Sequence, residues 1–143
     1  MSLELQGTRE LTKQLLALGA KVAARELKGT ARAAMKPVEA AWRARMPKHP
    51  LPHYTFRGRL VGGGFASRSI RIVTTINKRT GSAEAIIGVR REAFYIVQFV
   101  ELGTSKMPAN PTLVPAFQAT QSQALSIVTA QLRKRINRVK SKA

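Results

Sequence analysis

The sequence predicts an α+β domain, and three observations carry that expectation. Apolar residues recur with the period of a helix from about Ala20 to Met46, and again beyond Pro115. Between these stretches, Ile70–Ile76 and Ala83–Val89 alternate apolar and polar side chains on either side of a short turn. The expected architecture is an antiparallel β-sheet built around that hairpin, with the long N-terminal helical segment and the C-terminal helix packed on it. At 143 residues and 44% hydrophobic, the chain has the size of a single domain, 1–143, with one core. It reads as a helical segment (1–46), a Gly/Pro-rich loop (47–68), a hairpin (69–91), an apolar motif with a Pro-rich connector (92–115), and a C-terminal helix with a basic tail (116–143).

Leu3 and Leu5 alternate with polar neighbours, as a short edge strand would. Gly7 and Thr8 then open a helix with Glu10 in its first turn, where an acid suits the helix dipole. Leu11, Leu15 and Leu18 form its apolar stripe, and Gly19 ends or bends it. In the next helix Ala23, Leu27, Ala31, Ala34, Val38, Ala41 and Trp42 share one face. Lys21, Arg25, Lys28, Arg32, Lys36 and Arg43 share another. Pro37 interrupts the pattern, removes an amide donor, and predicts a kink or a fresh start. Pro47, Pro50, Pro52, Gly58 and Gly62-Gly63-Gly64 argue for a long loop without regular structure. In the hairpin, Ile70, Ile72, Thr74 and Ile76 share a face, and Lys78–Ser82 forms the turn, with Gly81 free to take a positive φ.

Phe94–Leu102 is apolar apart from Gln98 and Glu101. Periodicity does not separate helix from strand there, and a short helix ended by Gly103 is the preferred reading. Pro108, Pro111 and Pro115 make Met107–Pro115 extended and stiff. The last helix begins near Pro115, since proline is tolerated in a first turn, and Phe117, Ala124, Val128, Leu132 and Val139 form its stripe.

Charge is the extreme property. Twenty-five Lys and Arg face seven acids, all Glu, for a net +18. Solubility asks of a small domain a net charge of roughly 2–8. The excess points to an acidic partner: nucleic acid, a membrane surface or an acidic protein. No apolar run approaches the roughly 20 residues of a spanning helix, and Met1–Gln14 lacks the pattern of a signal peptide, so no membrane partner is expected. The row Lys21, Arg25, Lys28 and Arg32 is either a solvated face or a docking surface for an acidic partner. Arg133, Lys134, Arg135 and Arg138 complement a helix C-terminus and are also candidates for contact with nucleic acid. Lys48, Arg57, Arg59 and Arg68 interleave with Tyr54, Phe56 and Phe65, a mixture that suits either stacked bases or a protein interface.

Catalytic chemistry finds little support. The absence of Cys excludes disulfides and thiolate sites, and the absence of Asp excludes a Ser-His-Asp triad. His49 and His53 stand four apart in a Pro-rich loop without a third ligand, so no metal is expected. Gly62-Gly63-Gly64 lacks the Gly-Lys-Ser/Thr ending of a phosphate loop. No enzyme activity and no cofactor are expected; an RNase using His and Arg alone is the chemistry the composition leaves open.

The charge-poor stretch is more informative. Residues 92–132 carry only Glu92, Glu101 and Lys106 as charged side chains, so the stretch is core or contact surface. Within it runs Phe99-Val100-Glu101-Leu102-Gly103-Thr104-Ser105-Lys106-Met107-Pro108-Ala109-Asn110-Pro111. Gly103 can take a backbone conformation closed to other residues. Glu101 either faces solvent or pairs with a base or with backbone N–H groups. Thr104 and Ser105 can cap a turn, and the prolines stiffen the residues beyond it. The segment reads as a rigid connector, and Phe99, Glu101, Leu102, Gly103, Thr104, Pro108 and Pro111 are candidates for a subunit interface.

These motifs resemble, in order, the tail-component or tail-completion proteins of long-tailed phages with non-contractile tails. The resemblance rests on Phe94-Tyr95, on Phe99 to Ser105, on Met107-Pro108-Ala109-Asn110-Pro111 and on Pro115-Ala116. Gly58-Arg59-Leu60, Ser69-Ile70-Arg71 and the Lys/Arg/Ala-rich N-terminal helices fit as well, so nearly the whole chain is covered. Leu102 stands where the family commonly has an aromatic, Val114 where it has Arg, and Gly62–Ala66 has the character of an insertion. The resemblance implies a non-enzymatic virion protein of the neck or tail, assembled in the host cytoplasm. It would complete the tail or the head–tail junction as a homo-oligomeric ring, a hexamer being one such count, around the DNA channel. Its partners would be neighbouring neck and tail proteins and the DNA end. From charge alone, the alternative is a small basic nucleic-acid-binding protein.

Overall fold

The computed structural model describes residues 19–77, 79, 80 and 82–142, together with Lys13. The fold is α+β. Helix α1 (Ala20–Arg45) leads to a small hairpin, β1 (His53–Tyr54) and β2 (Leu60–Val61), and a short helix α2 (Phe65–Ser69). A second hairpin, β3 (Ile70–Ile76) and β4 (Ala83–Val89), is followed by a 3-10 turn (Arg91–Ala93), helix α3 (Phe94–Leu102) and the long helix α4 (Leu113–Lys140). The expected strand at Leu3 and Leu5 and the first helix with Leu11, Leu15 and Leu18 lie outside the described residues, as do Lys78 and Gly81 of the expected turn. Gly19 has φ 105° and accepts from the Ala23 amide at 3.0 Å, so α1 starts directly after it.

The chain forms two compact units. One contains the described part of 1–36 with 72–86 and 122–143; the other contains 37–71 and 87–121. In the first unit, Ala23 and Ala34 of α1 pack against Val128, Leu132 and Ile136 of α4, with Leu27 and Ile127 beside them. The alanines let the two backbones come close, which is why a face so poor in large side chains still closes a core. Ile136 is 3% exposed and extends the stripe expected for α4.

In the second unit the core is Trp42, Met46, Ala66, Ile70, Val97, Val100 and Ala116. A satellite of Val61, Phe65 and Ala93 adjoins Ile96. Pro37 neither ends nor restarts α1, which runs through it unbroken. Val38 and Trp42, both buried just beyond, hold the next turns in place against the lost amide donor.

The expectation of a loop without regular structure over 47–68 is corrected. β1 and β2 pair in antiparallel register, His53 with Val61 and Tyr54 with Leu60. The turn between them closes through Thr55 N–H to Arg59 O (2.8 Å) and Gly58 N–H to Thr55 O (2.9 Å), with Gly58 at φ 73°. Glycine that signals a break in the sequence here supplies the turn of a hairpin. Burial of Phe65, Ala66, Ser67 and Ser69 then pays for one turn and a half of helix.

Helix α3 confirms the helical choice for 94–102. Gly103, at φ 74°, ends it by donating to Phe99 O at 2.8 Å. The connector then folds back. Asn110 N–H donates to Val100 O at 2.8 Å, and α4 begins at Leu113, two residues before the expected Pro115.

Glu101 resolves its own ambiguity. Its carboxylate accepts from the amides of Thr112 (3.0 Å) and Leu113 (3.1 Å) and from the Thr112 hydroxyl. Thr112 Oγ1 in turn accepts from Trp42 Nε1–H at 2.9 Å. A carboxylate thus satisfies amides that the start of a helix leaves unpaired, where the helix dipole also favours negative charge. Glu101→Ala is expected to cost about 2 kcal/mol, the upper range for a lost cap, or roughly 6 °C in Tm. Thr112→Val should cost about as much by stranding the Trp42 N–H. The double variant should lose less than the two combined, because the groups form one network; thermal melts of the three variants check this.

Candidate functional site

Two surfaces gather the residues singled out in the sequence, one in each unit. In the second unit, α3 is apolar on both sides. Val97 and Val100 point inward, while Phe94, Tyr95, Phe99 and Leu102 lie outward at 53, 51, 49 and 71% exposure. A helix apolar all round is normally buried all round. Phe56 meets Tyr95 edge to face at 5.5 Å, and Tyr95 meets Phe94 at 6.2 Å. With Arg71, Val89 and Arg91 these rings line a shallow cleft of about 350 Å³. Exposed Met107 and Leu60 add further apolar surface to this unit.

The connector after α3 is rigid for reasons visible atom by atom. Thr104 and Met107 form a small bridge, and Thr104 Oγ1 accepts from the Met107 and Lys106 amides at 3.1 and 3.3 Å. Of the expected interface residues, Phe99, Leu102, Thr104, Pro108 and Pro111 are exposed. Glu101 and Gly103 are used within the chain instead. A Cβ on Gly103 would come within 2.6 Å of Ala109 N and 2.9 Å of Met107 O, so this glycine fits the connector against α3. Any side chain there disturbs the local fold before it reports on an interface.

In the first unit, Glu26 is 7% exposed and receives two guanidinium groups. Arg135 Nη1 donates to Oε2 at 2.6 Å, and Arg138 Nη2 donates to Oε1 at 3.0 Å. Arg135 lies over Gly29, where a Cβ would come within 2.8 Å of its guanidinium; the missing side chain leaves it room. Around Glu26 a cleft of about 780 Å³ is lined by Lys21, Arg25, Arg135, Arg138 and Lys142, with Val22 and Val139. The structure therefore joins Lys21 and Arg25 of the expected acidic-partner row to Arg135 and Arg138 of the expected nucleic-acid set. Lys28, Arg32, Arg133 and Lys134 are exposed outside the cleft. Arg135 and Arg138 are already engaged by Glu26, which reduces what they can offer to phosphate.

Sequence reasoning missed Thr112 and Glu26. Thr112 had a readable signal, a Thr just before a helical run. Glu26 had none, since its partners lie 109 and 112 residues away. His49 and His53 meet edge to face at 6.4 Å, and no group of three metal-ligating side chains is found among the described residues. No helix among the described residues is long and apolar enough to cross a membrane. No protein-family model, curated protein or solved structure matches the chain.

Burial opposes ionisation of the Glu26 carboxyl, but Arg135 and Arg138 outweigh it and hold its pKa below the ordinary value of 4.5. Because the folded value is the lower one, the contribution to stability is complete above the unfolded value and is lost as pH falls through the folded one. Glu26→Gln should flatten that acid limb in thermal melts across pH. At neutral pH it should cost about 3 kcal/mol, the low end for breaking a buried pair, because water reaches Arg138.

Proposed function

We propose that the chain is a non-enzymatic structural protein of a phage neck or tail, completing the tail or the head–tail junction as a ring of copies around the DNA channel. The observation that carries the assembly half of this reading is the outward apolar face of α3. Phe99 and Leu102 stand exposed beside a connector locked by its own hydrogen bonds. Monomeric proteins seldom leave such a face uncovered. The order of motifs from Gly58-Arg59-Leu60 to Pro115-Ala116 supplies the phage setting.

A second copy is the occupant that charge favours. Copies carrying +18 each repel wherever their basic faces meet. The stretch from Phe99 to Pro111 offers them contact with Lys106 as its one cation and with the Glu101 carboxylate already hydrogen-bonded to helix amides. The exposed row Lys21, Arg25, Lys28 and Arg32 then remains for acidic neighbours in the neck or tail.

Light scattering on purified protein at moderate salt tests the assembly. The wild type should give a discrete oligomer, and Phe99→Glu with Leu102→Glu should give a monomer. Each surface change should cost less than about 0.5 kcal/mol in stability. A wild type that stays monomeric at high concentration would sink the proposal. For the basic row, Arg25→Glu with Arg32→Glu should leave the ring and its melting point intact while blocking tail joining in an assembly assay.

A further inference from the structure

A second cationic cleft lies in the unit formed by 37–71 and 87–121, and it has a different chemistry from the one around Glu26. Its volume is about 750 Å³, and Arg43, Lys48, His49 and Arg68 border it. No carboxylate is among its described lining residues, and Glu39 pairs with Arg43 beside it. We propose that this cleft binds the phosphate backbone of nucleic acid. The inference is independent of the ring assembly.

The cations are held in place by the local fold. Gly64 N–H donates to His49 O at 3.0 Å, and a Cβ on Gly63 would come within 2.7 Å of His49 O and 2.6 Å of Pro50 O. Backbone therefore packs on backbone, and 48–50 is pressed against 62–64, which brings Lys48 and His49 to the same cleft as Arg68. Arg68 Nη2 donates to Gly62 O at 3.3 Å. Arg43 Nη2 donates to Ile70 O and to Glu39 Oε1, both at 2.7 Å, which fixes its guanidinium while its side chain stays 44% exposed. Arg43 and Arg68, already held by hydrogen bonds, lose less freedom when an anion arrives than free side chains would.

The lining decides between phosphate and an acidic protein. Protein interfaces need a packed apolar centre with aromatic anchors. Here the apolar lining is Ala44 and Pro50, and the rest is glycine backbone, Ser67, His49 and the cations Arg43, Lys48 and Arg68. Nucleic-acid sites are strongly positive, and Arg43, Lys48 and Arg68 make this cleft so. The cleft around Glu26 has Val22 and Val139 in its walls and two arginines engaged by one carboxylate, whereas here, among the described residues, Arg43 alone is paired, with Glu39.

The test uses the full chain and a fluorescently labelled duplex of about 20 base pairs, followed by anisotropy between about 50 and 200 mM salt. Lys48→Ser with Arg68→Ser should weaken binding roughly tenfold and lower the slope of log affinity against log salt by about two. Lys48→Ser alone keeps the Arg68–Gly62 bond and should lower the slope by about one. Lys28→Ser with Arg32→Ser removes the same charge from the other unit and should change affinity less than about twofold. Equal losses from the two double variants would show a net-charge effect and overturn the proposal. So would a wild type that fails to bind duplex at the lowest salt. Displacement of the duplex by poly-glutamate at a lower charge concentration than unlabelled duplex needs would assign the cleft to an acidic protein and overturn it as well.

Discussion

The second unit depends on one carboxylate. Glu101 stands in an apolar helix, where an unpaired charge would be costly, and it meets its hydrogen-bonding needs at the first amides of α4. That choice closes the connector into a loop whose ends are the last turn of α3 and the first turn of α4. Thr112 passes the link to Trp42 on α1, so three helices share one buried polar chain. Asn110 on Val100 O and the tight fit of Gly103 against Ala109 are consequences of the same closure.

Closure also determines what α3 can offer outward. Val97 and Val100 are consumed by the core, and the connector lies against the helix end. Phe94, Tyr95, Phe99 and Leu102 are left exposed on an element that cannot turn to bury them. The apolar face is thus held rigid before any partner arrives, and little conformational freedom is lost on binding.

Charge is handled in three ways. Glu26 draws two arginines of α4 onto α1, so part of the basic tail stabilises the first unit rather than facing outward. Lys21, Arg25, Lys28 and Arg32 remain on an exposed row. Arg43, Lys48, His49 and Arg68 meet around a cleft without a carboxylate in its lining. One net charge therefore contains an internal tether, an open face and a cleft bordered by cations.

Local pattern determined the parts whose cause is local. The helical period of 20–45, the alternation of β3 and β4, the stop at Gly103 and the exposed basic row were all legible, because side-chain periodicity and glycine conformation act within a few residues. The glycines of 47–68 misled for the complementary reason, and Pro37 does not start a new helix. Burial of Val38 and Trp42, and of Val61 and Phe65, outweighs local breaking signals, and burial depends on residues far along the chain. The connector's charge-poor character was visible in the sequence, but the division of its residues was not. That Glu101 and Gly103 serve the chain itself while Phe99, Leu102, Thr104, Pro108 and Pro111 face outward depends on where Thr112 and Ala109 return in space. Tertiary structure alone decided the partners of Glu26 and the meeting of 48–50 with 62–64, since a hydrogen bond or a backbone contact requires proximity that spacing along the sequence does not encode.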